Sequence, residues 1–333
     1  MKNILEYMKV LKAGASNDVY PIYSSYLYSD GNNLKTCNNS AYIAVSSIKP
    51  TNFKGYLNIF ILEEILNMVA EDATFSFSEK ESLLRVNSGP FKTSLNVVRD
   101  MGMPEITKPD FSSSIELDEE TINLWKFAIK YVGRDSLSPL YIDSDGICAT
   151  DGQRVFLSSN GYGIDGKLSI NNKILSFLRD GYNIFADQKG NVNIGFHNGF
   201  AVFSTDSLEL FPHQRIRSFA SDSLSDRKFI FNVAVMRDCA DKISPIFHGE
   251  TEHYCELSNK NKEMKISAFS PVNGNAEVMV NTELENEFSI NFNMKFIKNM
   301  PLEYDVFINL DMQDRLIFEN DKGVNIIMLG NKK

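Results

Sequence analysis

The sequence predicts an α+β protein in which one module is used three times. GYLNIFILEEILNMV at 55–69, GKLSINNKILSFLRD at 166–180 and NEFSINFNMKFIKNM at 286–300 each read as a strand running into a short helix. Alternating aromatic and β-branched runs flank every copy, punctuated by Asp-Gly, Asn-Gly or Lys-Gly, which is the signature of antiparallel hairpins. A helix-forming segment opens each third. The spacing of the copies is that of domains, far longer than the ~20–50 residues of solenoid repeats.

Taken in chain order, ILEYMKVLKAG at 4–14 is the opening helix of the first third. A hairpin, DGNNLKTCNNSAYIAVSS, precedes the first strand-to-helix junction, and ATFSFSEKESLLRVNSGPFKTSLNVV follows it. In the middle third, LDEETINLWKFAIKYVGR predicts a helix over 118–134, with Asp118, Glu119 and Glu120 in its first turn, where the helix dipole favours negative charge. Ile122, Trp125, Ile129 and Val132 form its apolar stripe. DGICATDGQRVFLSS and YNIFADQKGNVNIGFHNGFAVFSTD supply the strands around the second junction. NVAVMRDCADKIS opens the last third, with NKEMKISAFSPVNGNAEVMVN and YDVFINLDMQDRLIFENDKGVNIIML as its strands. Aligning the junctions pairs Leu57, Leu168 and Phe288. The six predicted helices are 2–13, 61–70, 118–134, 171–180, 232–243 and 293–303, and the polar stretches KPDFSSS and SDSLSDRK divide the chain into domains 1–113, 114–224 and 225–333.

Composition narrows the function classes. A chain of 333 residues with 43% hydrophobic content can bury several cores, and its formal charge of −9 argues against a protein that coats DNA through overall positive charge. Cys37, Cys148, Cys239 and Cys255 form no C-x-x-C pair. Lys2, Glu6, Lys9 and Lys12 interrupt any signal-like apolar core, so the expectation is a soluble, cytoplasmic protein with reduced thiols. No apolar run approaches the ~18–20 residues of a membrane span.

ATDGQRV, Ala149 to Val155, resembles the Thr-Asp-Gly-His-Arg-Leu segment of bacterial-type DNA polymerase sliding clamps, the beta subunit family, and Phe211-Pro212 stands where that family has Phe-Pro before its second interdomain linker. The resemblance covers the whole chain as a pattern of elements and is literal over a few short stretches. It implies three clamp modules per chain and a head-to-tail homodimer closing a six-domain ring around duplex DNA, without base-specific contacts. It also implies a DNA polymerase and a clamp loader as partners, no cofactor, no metal and no chemistry of its own.

The residues themselves carry cations where that idea needs them. Lys126, Lys130 and Arg134 recur at i, i+4, i+8 away from the apolar stripe, and Lys2 and Lys9 lie away from Ile4, Met8 and Leu11. Lys12, Lys173, Arg237 and Lys298 complete the expected DNA-facing set. The predicted helices carry a slight basic excess while the rest of the chain is acidic.

The family's partner-peptide pocket maps onto Leu137, Thr150, Gly152, Arg154, Val155, Pro212, Ile216, Ile326, Met328 and Leu329. Small residues there leave room, and aliphatic side chains with Met make an adaptable apolar groove. Gln153 replaces the family's usual His, and the chain ends Met328, Leu329, Gly330, Asn331, Lys332, Lys333 in place of a Met-Pro-Met-Arg-Leu type of ending. By the same analogy Phe91, Leu95 and Ile243 are the expected dimer interface.

Enzymatic motifs are weak. GYGIDG spells G-x-G-x-x-G but is followed by the strand-like KLSI, so the helix N-terminus that holds a pyrophosphate is missing. DSDG at 143–146 lacks the later ligands of a calcium loop and reads as a turn, as does the Asp151-Gly152 pair. His248, His253 and Cys255 are close in sequence without a fourth ligand. The competing reading is a β-rich structural or assembly protein made from a triplicated domain.

Overall fold

The computed structural model describes residues 4–18, 20–46, 51, 53–159, 164, 166–205, 210–298, 300–312 and 314–330, with backbone alone at 4 and 6. In the first cycle, α1 (Ile4–Lys12) leads to β1 (Tyr26–Ser29), β2 (Asn33–Asn38), β3 (Ala41–Ser46), β4 (Gly55–Asn58), α2 (Ile59–Met68), β5 (Thr74–Ser78), β6 (Leu83–Ser88) and β7 (Phe91–Asn96). The second runs β8 (Ile115–Glu116), α3 (Glu119–Ala128), β9 (Leu140–Asp143), β10 (Gly146–Thr150), β11 (Arg154–Ser158), β12 (Leu168–Ile170), α4 (Asn172–Phe177), β13 (Asn183–Ala186), β14 (Val192–Phe196) and β15 (Gly199–Phe203). Then follow α5 (His213–Leu224), β16 (Arg227–Asn232), α6 (Val233–Ile243), β17 (Tyr254–Lys260), β18 (Glu263–Ser270), β19 (Gly274–Val280) and β20 (Phe288–Asn293). The last elements are α7 (Lys295–Lys298), β21 (Asp305–Asn309), β22 (Arg315–Glu319) and β23 (Val324–Leu329). The α+β expectation holds.

The chain condenses into two compact units, residues 1–127 with 163–208 and residues 128–162 with 209–333. Within the first, one sheet is ordered β4-β1-β2-β3-β15-β14-β13-β8 and a smaller one β5-β6-β7. Within the second, one sheet contains the run β9-β10-β11-β23-β22-β21-β16 and a smaller one is ordered β19-β18-β17-β20. Pairing is antiparallel in these ladders, so side chains alternate between faces; β17 and β18 bury one face, whereas β10 is buried on both. Leu11, Leu27, Ile43 and Leu62 are fully buried in the first unit, and Ile147, Ile266, Ile308 and Ile326 in the second. Each such side chain contributes roughly 1.5–3 kcal/mol relative to exposure.

Asparagine sets each strand-to-helix junction. Asn58 Oδ1 accepts from Phe60 N and Ile61 N at 3.1 Å, Asn171 Oδ1 from Ile174 N at 3.0 Å, and Asn293 Oδ1 from Lys295 N at 3.0 Å. These bonds satisfy amides that a helix start leaves without partners. They also correct the alignment on Leu57, Leu168 and Phe288. The caps Asn58, Asn171 and Asn293 are the equivalent positions, so that alignment slips by a further two residues with each successive copy. A two-residue slip returns every strand side chain to its own face, so alternation could not reveal it.

The helices are shorter than predicted. The 118–134 segment is α-helical only to Ala128, continues as a 3-10 turn over Ile129–Tyr131, and becomes extended at Val132. Gly133 N–H instead donates to Leu137 O at 2.9 Å. Pro301, which disfavours helix in the residue before it, follows the short α7. The polar stretch 108–114 does not hang loose: Phe111, with Met103 and Ile106, packs on Cys37, Tyr42, Ala44, Phe200 and Val202. An added Cβ at Gly195 would lie 2.9 Å from the Phe111 ring, so the glycine makes room for it.

All four cysteines are free and buried, and burial pushes the Cys37 thiol up to about 11 and those of Cys148 and Cys255 up to about 12. Such thiols are inert at neutral pH. Among the described residues, no helix is long and apolar enough to cross a membrane, and no group of three His, Cys, Asp or Glu could hold a metal.

Candidate partner-binding site

Every member of the predicted pocket set falls in the second unit. The β10–β11 turn is built by Asp151, whose Oδ1 accepts from Gln153 N at 2.9 Å and Arg154 N at 2.7 Å. Gly152 takes φ +85°, in the left-handed region that favours glycine, and its N–H donates to Thr150 Oγ1 at 3.1 Å. The Thr150 hydroxyl in turn donates to Arg154 O at 2.8 Å. Asp151 is therefore a turn residue, as its sequence context indicated, and Asp143 accepts from Asp145 N at 2.9 Å in the DSDG turn.

Arg154 is held from several sides. Its Nε donates to Asp151 Oδ2 at 2.8 Å and its Nη2 to Lys130 O at 3.0 Å. The guanidinium also lies 4.7 Å from the Tyr131 ring centre and 4.1 Å from that of Phe296. Burial pushes the Tyr131 hydroxyl up to about 12, with the Arg154 charge opposing. Such a fixed cation is a wall of the site and not a mobile hook.

Strand pairing brings the last strand alongside. Arg154 stands opposite Met328, Val155 opposite Ile327 and Phe156 opposite Ile326, and Leu329 N donates to Gln153 O at 2.9 Å. Leu137 lies near the same turn, because an added Cβ at Gly133 would be 3.1 Å from both Leu137 Cβ and Asp151 Cα. Helix α5 begins after Pro212, whose carbonyl accepts from Ile216 N at 3.0 Å, and packs on β10 and β22. Tyr141 stacks on Phe211 at 5.3 Å and on His213 at 4.6 Å, which fixes the entry to that helix. Arg217 donates to Asp143 Oδ1 at 2.6 Å.

Not all of the set is accessible. Ile326 and Met328 retain 0% and 1% exposure and belong to the core beneath, and Thr150, Val155 and Ile216 are also buried. Leu137, Gly152, Arg154, Pro212 and Leu329 keep exposed surface. Two features escaped sequence reasoning: α5 itself, signalled by buried Ile216, Ala220 and Ser223 at helical spacing, and the Tyr131–Arg154–Phe296 stack, which joins residues remote in sequence.

The residues expected to face DNA have mixed fates. Lys9, Lys126, Lys130, Arg134 and Lys298 are exposed, with Arg134 beyond the helix that was to present it. Lys12 pairs with Glu63 at 2.7 Å. Lys173 donates to Ser40 Oγ at 2.8 Å, and burial pulls its pKa down. Arg237 donates to Met300 O. Lys2 lies outside the described residues.

Of the expected interface residues, Phe91 is exposed and Leu95 half-buried against Ile65, Val69 and Val86. Ile243 is a correction: with 0% exposure it is core of the second unit, because α6 turns its Val233, Met236, Cys239, Ala240 and Ile243 face inward.

No family model matches the chain, and no curated protein matches it in sequence. Solved structures do. The DNA polymerase III subunit beta from Pseudomonas aeruginosa is similar at a TM-score of 0.79 and 13% identity, over 99% of this chain and 98% of that one. The DNA polymerase sliding clamp from Bacillus subtilis is similar at 0.75 and 18% identity, over 100% and 98%. The Helicobacter pylori beta clamp, solved with a DNA ligase peptide bound, is similar at 0.73 and 11% identity, over 100% and 98%. At such identities the likeness is one of fold, and it spans essentially the full length of both chains.

Proposed function

We propose that this chain, which has the fold of the DNA polymerase III beta subunit, works as a DNA sliding clamp. The observation that carries the reading is a match of fold over 99–100% of this chain and 98% of each of those chains. It does not favour a triplicated structural protein. In this reading the chain is three modules, 1–113, 114–224 and 225–333, and two copies close head to tail around duplex DNA. Among the described residues β7 and β19 are outermost strands of their sheets, and an unpaired edge is a template for another strand, which suits that closure.

The protein then needs no chemistry. A closed ring stays on DNA because the two are linked, so a weak, unspecific attraction from residues such as Lys9, Lys126, Lys130, Arg134 and Lys298 is enough. Many close phosphate contacts would hold the ring at one place on the duplex. The accessible surface of Leu137, Gly152, Arg154, Pro212 and Leu329 is the docking place for an apolar segment of a polymerase or another partner. A clamp loader is required to open the ring.

Polymerase processivity on a primed circular template tests the reading. With a loader and ATP, added protein is expected to lengthen products per binding event by tenfold or more. Leu137→Ala with Leu329→Ala, both partly exposed, is expected to abolish that gain while leaving the dimer intact. Unchanged product length with the wild-type protein would overturn the proposal.

A further inference from the structure

The two strand joints inside the chain repeat the same register, and together they specify a third joint that the described strands do not make. At the first, Ala41 stands opposite Phe203 and Ile43 opposite Ala201, and one step further Ser204 N donates to Ser40 O at 3.0 Å. At the second, Arg154 stands opposite Met328 and Phe156 opposite Ile326, and one step further Leu329 N donates to Gln153 O at 2.9 Å. Ala41 therefore corresponds to Arg154, and Phe203 to Met328.

The same ladders lead to the free edges. Tyr26 stands opposite the cap Asn58, and Tyr254 opposite the cap Asn293. From these the pairs Leu27–Thr36–Ile43 and Cys255–Ala268–Ala276 run in step, so Ala276 on β19 takes the place of Ile43 on β3. On the other side, Ala186–Val192–Phe203 and Ile308–Leu316–Met328 match Phe77–Leu84–Leu95, each starting at the fourth residue of its strand. Leu95 on β7 thus takes the place of Phe203.

We infer that β7 of one copy pairs with β19 of a second copy with Leu95 opposite Gly274, Thr93 opposite Ala276 and Phe91 opposite Val278, which sets Lys92 against Glu277. This deepens the closed-ring reading above and rests on it. Two features that played no part in the alignment agree with it. Val97 N–H donates back to Ser82 O at 2.8 Å, and with the β6–β7 register this turns the backbone groups of Lys92, Ser94 and Asn96 outward, where the transposed joint needs them. Side chains also fall on matching faces. Thr93 and Leu95 continue the face of buried Val86, and Ala276 and Val278 that of Ala268 and Ile266.

Charge fits the same register. Lys92 is exposed on the outer face, and Glu277, whose side chain is 60% exposed and 3.2 Å from Lys265, borders a groove whose other charged lining is Glu256, Glu263 and Glu287 with Lys260 and Lys265, acidic on balance. Opposite charges directly across a ladder stabilise it, and like charges destabilise it. A one-residue slip would put Lys92 on the apolar face. The pair therefore selects both register and partner orientation.

Thr93 and Ala276 form a non-hydrogen-bonded pair in this register, with an expected Cα separation of ~4.5 Å, within disulfide reach. The full chain carrying Thr93→Cys and Ala276→Cys is expected to yield a covalent dimer with oxidised glutathione, the native cysteines being buried. Cross-linking by Thr93→Cys with Gly274→Cys or with Val278→Cys instead would overturn the register and leave the dimer standing. A wild-type chain that sediments as a monomer at micromolar concentration, with no pair cross-linking, would sink the ring reading itself. Lys92→Glu or Glu277→Lys alone is expected to weaken the dimer about fivefold, with the double exchange restoring it. Failure of the restoration would remove Lys92 and Glu277 as a pair.

Discussion

Asp187 shows how much one side chain can organise. Its carboxylate accepts from Lys189 N at 2.8 Å, Asn191 N at 2.9 Å and Asn191 Nδ2 at 2.9 Å, closing the turn between β13 and β14. Burial alone would raise its pKa, but these hydrogen bonds outweigh burial and hold it below the ordinary 3.8. A group depressed on folding stabilises the protein above its unfolded value and loses that contribution as pH falls through the folded one. Thermal melts below pH 3.8 are therefore expected to show stability dropping, with Asp187→Asn less stable at neutral pH but flatter on the acid side. An acid limb identical to wild type would show that Asp187 carries none of the effect. The Asn caps act more simply. Asn171→Ala removes the bond to Ile174 N and is expected to cost about 1 kcal/mol, read as a lower urea midpoint.

At the scale of elements, what was legible followed from periodicity. Alternation and Asp-Gly turns marked the strands, because successive side chains of a strand point to opposite faces and tight hairpins demand φ > 0. Helix α5 was hidden because its cap is made by a residue far away in sequence. Asn309 Nδ2, in a residue 1% exposed, reaches the carbonyls of Asp222 at 3.3 Å, Ser223 at 3.2 Å and Ser225 at 2.7 Å. Arg315, stacked 4.5 Å from the Phe219 ring, adds a bond to Ser223 Oγ at 2.8 Å. The polar run SDSLSDRK, which reads locally as a linker, is helical in its first half because these tertiary partners satisfy its carbonyls. Asn309→Leu leaves those carbonyls unmet at ~1–3 kcal/mol. Amide exchange in the last turn of α5 is expected to accelerate roughly tenfold to a hundredfold while the first turn changes little. Uniform acceleration along the helix would show that Asn309 supports the unit at large and not the helix end.

For the whole molecule, on the proposed clamp function, the informative quantity is how attraction to DNA would be distributed. The chain is acidic overall at −9, so attraction has to come from local sets of exposed cations. Of the residues expected to face DNA, Lys12, Lys173 and Arg237 are tied to Glu63, Ser40 and Met300 O respectively, whereas Lys9, Lys126, Lys130, Arg134 and Lys298 are exposed. Sequence spacing could place most of these cations on helices, Arg134 excepted, but whether each reaches solvent depended on tertiary neighbours that no local pattern encodes. With few contacts per copy, binding to a short linear duplex is expected to be weak and to fall with salt, each phosphate contact contributing about 0.9 to the slope of log K against log[salt]. Replacing Lys126 and Arg134 by Ala should lower that slope by one to two units and leave sequence preference unchanged. Retention on circular DNA after loading should hardly change, because linkage rather than affinity keeps a closed ring in place. Equal salt-resistant binding to linear and circular DNA would instead mean that contacts alone hold the protein, and closure would lose its role.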